Sequence, residues 1–279
     1  MNIEIRKQDF ELAVKAARDP KGRIFEVLET AIHAKADMIG QQILGEPGVN
    51  VVENGTDSQA DMLRMQVIQL ACVSTFLEEM RGLDLVLTAT GFGVVSTNDT
   101  APASKMRVDA LDGELRRKER VMRGDLITRL FRVNGWSQTP QRYANVQTLF
   151  FSIQQLETWA GISRAKPEDW DSSVPTILAA DAYLRKHLGN AYMDELLAQV
   201  TSYSLTNENG GIALLCQQYI GACIAQNMRL KEETYMRMIN RMEADLSQYP
   251  TYANGEGYRL NHFKPYENHA EDSAFHFIG

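Results

Sequence analysis

The chain has 279 residues, 44% of them hydrophobic and 23% charged, with a formal net charge of −7. That length and composition fit one large or two ordinary globular domains with a sizeable core. The acidic balance argues against nucleic-acid binding by bulk electrostatics. No apolar run approaches the roughly 20 residues of a membrane span, and Met1 to Lys7 lacks the apolar core of a secretory signal, so a soluble protein is expected.

From Ile24, apolar residues recur at intervals of three and four through Leu28, Ile32, Ile39 and Ile43, which predicts a helix stopping at Gly45-Glu46-Pro47-Gly48. Val49 to Asp57 reads as a loop or short ribbon, with Ser58 capping a second helix that runs to Met80. Apolar residues cover most of that helix's circumference, so it is expected to lie deep in the core. Next come Leu85-Val86-Leu87-Thr88-Ala89-Thr90 and Val94-Val95-Ser96-Thr97, two β-branched runs flanking Gly91-Phe92-Gly93. They predict a hairpin that turns at the glycines, where positive φ is cheap. A lone two-stranded ribbon is marginal in water, so this one points toward a partner surface.

A long charged helix is expected over Ser104–Phe131, with Pro102 before it and Asn134-Gly135 after it. Gly113 and Gly124 lie inside it, each costing about 1 kcal/mol against alanine, so either marks close packing or a bend. Trp136 to Ala144 reads as a connecting loop. Helices then follow over Ser152–Ala160, from about Val174 to Leu188, and over Ala191–Tyr203, Gly211–Met228 and Leu230–Leu246. Tyr249 to Gly279 carries no sustained period and reads as an extended arm.

The fold class is therefore mainly α: two helical halves, one projecting β-hairpin and an extended C-terminal arm. In sequence terms the units are an N-terminal helical half (1–82), the hairpin (83–100), a long basic helix (101–135), a C-terminal helical half (136–247) and the arm (248–279). An offset of 144 residues pairs Ala36-Asp37 with Ala180-Asp181 and Leu44-Gly45 with Leu188-Gly189. The same offset pairs Ile68, Leu70 and Cys72 with Ile212, Leu214 and Cys216, consistent with an internal repeat.

Chemistry is hard to find. Gly91-Phe92-Gly93 lacks the third glycine and the immediate helix of a dinucleotide site. No phosphate loop, Cys-x-x-Cys, His-Glu-x-x-His or Gly-x-Ser-x-Gly occurs. His262, His269 and His276 lie near acids, but no short two-ligand pair fixes a metal geometry. Glu78-Glu79 and Glu232-Glu233 are adjacent on helices and diverge. Cys72, Cys216 and Cys223 sit in apolar helical patterns and read as buried thiols in a reducing compartment. No catalytic, cofactor or metal site is expected.

Charge segregates instead. Lys105 to Arg132 carries nine bases, among them Arg107, Arg116, Arg117 and Arg120, and five acids. A solvated helix laced with i,i+4 pairs explains this, as does a basic ridge facing an acidic partner or a phosphate backbone. The arm is rich in aromatics, including Phe263, Tyr266, Phe275 and Phe277. Such residues anchor well on a neighbour.

The run Thr90-Gly91-Phe92-Gly93-Val94-Val95, with Asn98 and Ala101-Pro102-Ala103-Ser104-Lys105-Met106-Arg107-Val108, resembles a family of proteins encoded in Bacteroidetes phages and prophages among head and tail assembly genes. The aromatic ending Phe275-His276-Phe277 is similar to that family's C-terminus. The resemblance implies a virion structural protein assembled in the bacterial host cytoplasm: a head–tail connector or adaptor forming a homo-oligomeric ring on the portal protein. It further implies contacts with neck and tail proteins, proximity to packaged DNA, no membrane and no enzyme activity. Phe92, Val94, Val95, Arg107, Arg116, Arg117, Arg120, Phe263, Phe275 and Phe277 are the expected interface residues. Deleting Asn268–Gly279, or changing Phe92 to Ser, is expected to leave the helical core folded but block assembly. The alternatives are a nucleic-acid-associated protein using the basic helix 105–132 and an enzyme of unrecognised type.

Overall fold

The computed structural model describes residues 1–15, 23–83, 85–88, 91–94 and 105–262. These residues are mainly helical. Ile3 and Ile5 are buried just before α1 (Lys7–Ala13), which adds Phe10 and Ala13 to the core. In α2 (Arg23–Ile39) the stripe Leu28, Ile32, Ala36 and Ile39 faces inward. The helix ends at the expected glycine, and a new helix begins there at once. Before that end α2 widens into a π-helical stretch, Gly40–Leu44, and the chain bends at Gly45, whose φ of 62° is cheap only for glycine.

The expected loop at 49–57 is mostly helix: α3 (Gly45–Asn54) buries Gly48 and Val52. Pro47 is tolerated there because it falls in the first turn, where its missing N–H is not needed. The cap of α4 (Ser58–Glu79) is Asp57, not Ser58: its carboxylate accepts from Ala60 N at 2.7 Å. From Leu70 to Leu77 every residue of α4 is buried, as its lack of a polar face requires. It packs against α1, α2 and α3.

Strands β1 (Leu85–Thr88) and β2 (Gly91–Val94) pair antiparallel, with Leu85 opposite Val94 and Thr88 opposite Gly91. Gly91, Phe92 and Gly93 therefore lie within β2 and do not form the turn expected of them. The pairing register overrode the local turn signal.

Helix α5 (Lys105–Leu130) lies against α4, α7 and α8. The expected loop over 136–144 is a 3₁₀ turn, Trp136–Gln138, followed by α6 (Pro140–Asn145). There Thr139 caps the helix and Pro140 fills its first position. Helix α7 (Ile153–Trp159) follows Ser152, whose N–H donates to Gln155 Oε1 at 2.9 Å. Helix α8 (Pro167–Leu188) starts earlier than its apolar period suggested. Lys166 N donates to Asp169 Oδ2 at 2.7 Å, fixing a polar first turn. Helices α9 (Asn190–Thr201), α10 (Asn207–Ile224) and α11 (Met228–Ala244) complete the second half, with α10 packed on α7, α8 and α11.

Nor is the arm extended from Tyr249. A 3₁₀ turn (Leu246–Gln248), α12 (Pro250–Ala253) and α13 (Glu256–Asn261) bring it back onto α8 and α9. Tyr249 and Tyr252 are buried there, and Gly257 packs so closely on Leu188 and Gly189 that a Cβ would lie 2.4 Å from the Leu188 carbonyl carbon. These elements are too short to show a period, and they fold because their aromatics find a surface. The remainder of the arm lies outside the described residues. One apolar cluster runs through both halves, from Ile3 to Tyr252.

Candidate partner interface

Two places stand apart from the core. The first is the stem of the hairpin. Arg81, Gly82 and Leu83 are exposed, and so are Lys105, Met106 and Arg107 in the first turn of α5. The earliest buried residue of α5 is Asp112, and Met106 is 80% exposed. Arg81 joins the stem's two sides through Asp109 at 3.2 Å. Phe92 and Val94 lie in β2, while Val95 is outside the described residues. The sequence-derived Arg107 stands at the exposed end of α5.

Beyond this exposed end, the basic face of α5 is largely taken up by its own protein. Arg116 bonds Asp112 at 2.7 Å, which holds its guanidinium above the usual arginine range. Arg117 reaches Glu157 of α7, and Arg120 meets Asp171 of α8 at 3.0 Å. Arg123 donates to Asn145 Oδ1 at 2.7 Å, and Arg132 lies over the Tyr203 ring, 4.5 Å from its centroid. Lys118 donates to Ala13 O; burial there pushes its ammonium below the usual lysine range. Among the described ion pairs of α5, only Arg116–Asp112 has the i,i+4 spacing. Helix α5 is therefore a spine bonded to both halves. Arg116 shares Asp112 with the stem's Arg81, whereas Arg117 and Arg120 face acids of α7 and α8. Sequence could count these charges but could not show that their partners lie 40 and 51 residues away.

Gly124 explains how closely the spine sits. A Cβ there would meet Gln154 Oε1 at 2.8 Å and Ser152 Cβ at 3.1 Å. Gln154 in turn donates to Val121 O at 3.1 Å and Asp125 Oδ1 at 2.9 Å.

The second place is a groove between α8 and α13, a cavity of about 700 Å³ lined by Ala182, Arg185, Lys186, Asn190, Arg259 and Leu260. Glu256 adds one acid to its wall. Arg185 is held by Asp181 at 2.7 Å and Asp194 at 2.6 Å, so Lys186 and Arg259 are its exposed cations. Leu260 is 48% exposed and Leu178, one turn before Ala182 on α8, is 47% exposed. Arg259 keeps its guanidinium against Gly255 O and Asn254 O. Sequence reading missed this groove because it is formed by two helices 70 residues apart, one of which has no period. Phe263, Phe275 and Phe277 lie beyond it in the sequence, outside the described residues.

Cys72 and Cys216 are buried free thiols and Cys223 is half-buried. Burial pushes the Cys72 thiol up to about 12, and Cys216 also rises. Among the described residues, no helix is long and apolar enough to cross a membrane.

Residues 25–145 match a family of unknown function, DUF6712. The matched segment spans α2 to α6, including the strand pair. Neither the curated proteins nor the solved structures contain a match.

Proposed function

We propose that this protein is a phage or prophage virion structural protein, a head–tail connector whose copies form a ring on the portal through the hairpin and the C-terminal arm. The carrying observation is the hairpin stem. Between Met80 and Leu111 the described side chains are exposed or half-buried and contribute nothing to the core, although the chain invests a strand pair and two helical turns there. A two-stranded ribbon is marginal in water unless something packs on it or pairs with it, which favours a partner at this element. The resemblance of Thr90–Val108 to phage assembly proteins falls on this same element.

Matching features at an offset of 144 residues, read as a repeat of one helical unit, support the reading. The α2 helix with its π extension occupies residues 23–44, and α8 occupies 167–188, an offset of 144 that also relates the positive-φ glycines Gly45 and Gly189. Ala36 and Ala180, Leu44 and Leu188, Ile68 and Ile212, and Cys72 and Cys216 are buried pairs at that offset. Leu70 is buried but Leu214 is 44% exposed, so the copies have diverged. After α5 and after α11 the chain makes the same excursion: a 3₁₀ turn, then Pro140-Gln141-Arg142-Tyr143-Ala144-Asn145 or Pro250-Thr251-Tyr252-Ala253-Asn254. The side chains of Asn145 and Asn254 both donate back to the carbonyl four residues earlier. The two copies differ most between their fourth and fifth helices. Three residues (225–227) join α10 to α11, whereas 25 residues (80–104) join α4 to α5. On the repeat reading, the strand pair is an insertion into one copy of a helical unit, the placement expected of an added docking element.

The experiment is particle imaging of the purified full-length protein alone and with the portal protein encoded beside it. Closed rings, seated on the portal, are the expected result. Monomers that ignore the portal would overturn the reading.

A further inference from the structure

We infer that the groove between α8 and α13 receives the acidic, aromatic stretch around Glu271–Phe277 from a second copy of this chain. The inference rests on the oligomer reading above and identifies where the arm lands. The groove offers an apolar floor at Ala182 and Leu260, extended along α8 by Leu178. Two exposed cations, Lys186 and Arg259, line the groove with the single acid Glu256; Arg259 also bonds the Gly255 and Asn254 carbonyls, and Arg185 is satisfied by Asp181 and Asp194.

The C-terminal stretch Glu271-Asp272-Ser273-Ala274-Phe275-His276-Phe277 carries the complementary pattern: two adjacent acids, then two aromatics. An acidic pair over Lys186 and Arg259 lets Phe275 cover the apolar floor, with the charges fixing register and the ring supplying most of the buried area.

Arg259 and Leu260 belong to the last turn of α13, and the described chain ends at His262, close to the groove. Chain length permits a neighbour as the donor, and the oligomer reading above selects it over the same molecule. Ten residues, from His262 to Asp272, span up to about 35 Å when extended. A 279-residue globule has a radius of gyration of about 19 Å, so that span carries the acidic pair across to an adjacent subunit.

The test uses full-length chains in a Cys223→Ser background, which leaves two deeply buried native thiols. One preparation carries Lys186→Cys and the other Asp272→Cys, and the two are co-assembled and mildly oxidised. A disulfide-linked dimer containing one chain of each kind is expected, and the double variant Lys186→Cys/Asp272→Cys should give a ladder of linked multimers. No mixed dimer, or a double variant that closes only within one chain, overturns the inference. The mass of the unmodified protein separates the two ideas. A ring without the mixed crosslink defeats this landing site alone, whereas a monomer defeats the oligomer reading itself.

Discussion

Trp136 reaches back 93 residues to hold the end of another helix: its indole Nε1–H donates to Ile43 O at 2.9 Å, with both residues buried. Ile43 sits in the π-helical stretch, where carbonyls lose regular partners. In the second half, Asn261 donates to His187 O at 3.1 Å, and His187 stands 144 residues after Ile43. Two chemically different side chains thus close the ends of two helices.

Trp136→Phe retains most of the ring volume but leaves the Ile43 carbonyl unsatisfied. A loss of about 1–3 kcal/mol is expected in urea unfolding, since a buried orphan acceptor costs its full desolvation. An unchanged midpoint would show that water replaces the indole.

The two interior glycines of α5 separate cleanly. Nothing lies within 4 Å of a Cβ built at Gly113, so Gly113→Ala should stabilise the protein by about 0.5–1 kcal/mol through helix propensity. Gly124→Ala should destabilise it, because its Cβ would press on Ser152 and Gln154 of the segment entering α7. Thermal unfolding of both variants, compared with the parent, reads the signs directly.

Much of the fold was legible because its long helices bury continuous apolar stripes. The cores of α2, α4, α5 and α10 follow from period alone. What sequence misjudged is short or set by distant partners. Helix α3 hides behind Gly45, Pro47 and Gly48, which are ordinarily stop signals but here sit at a bend and a first turn. Helices α12 and α13 have too few residues for periodicity and are defined by burial of Tyr249 and Tyr252. Of the candidate interface, the β-branched runs stand out in the sequence, but the pairing of Leu85 with Val94 does not, because register is a property of the pair. The arginines of α5 were countable, while their partners Glu157 and Asp171 could be located only in three dimensions.

Those ion pairs carry a consequence for the basic helix. Reversing Arg117 and Arg120 to Glu should lower thermal stability, with the larger effect at Arg117, whose partner Glu157 is about equally half-buried. Exposed pairs such as Arg120–Asp171 are typically worth about 0–1 kcal/mol. Duplex DNA affinity, measured across a salt series, should change little. A salt-dependent affinity that vanishes with these reversals, while the melting temperature holds, would favour phosphate binding by this face.

Alkaline pH should loosen the core. Burial pushes the Cys72 thiol and the Tyr235 hydroxyl up to about 12, so the folded state holds protons that the unfolded chain releases earlier. This contribution is fully present below the unfolded thiol value of about 8.5 and is lost as pH rises toward about 12. Urea midpoints should therefore fall steadily above pH 9, and native Cys72 and Cys216 should resist alkylation until the protein unfolds. A flat midpoint to pH 11 would contradict this burial.

The most direct measurement is the solution mass of the full-length protein beside its Phe92→Ser variant, with circular dichroism as a control for folding. The account predicts a discrete multi-subunit mass for the parent. It predicts a smaller mass for Phe92→Ser, with the helical spectrum and melting temperature of the parent. A parent that stays monomeric at all concentrations, or a variant that assembles as the parent does, would contradict assembly through the hairpin.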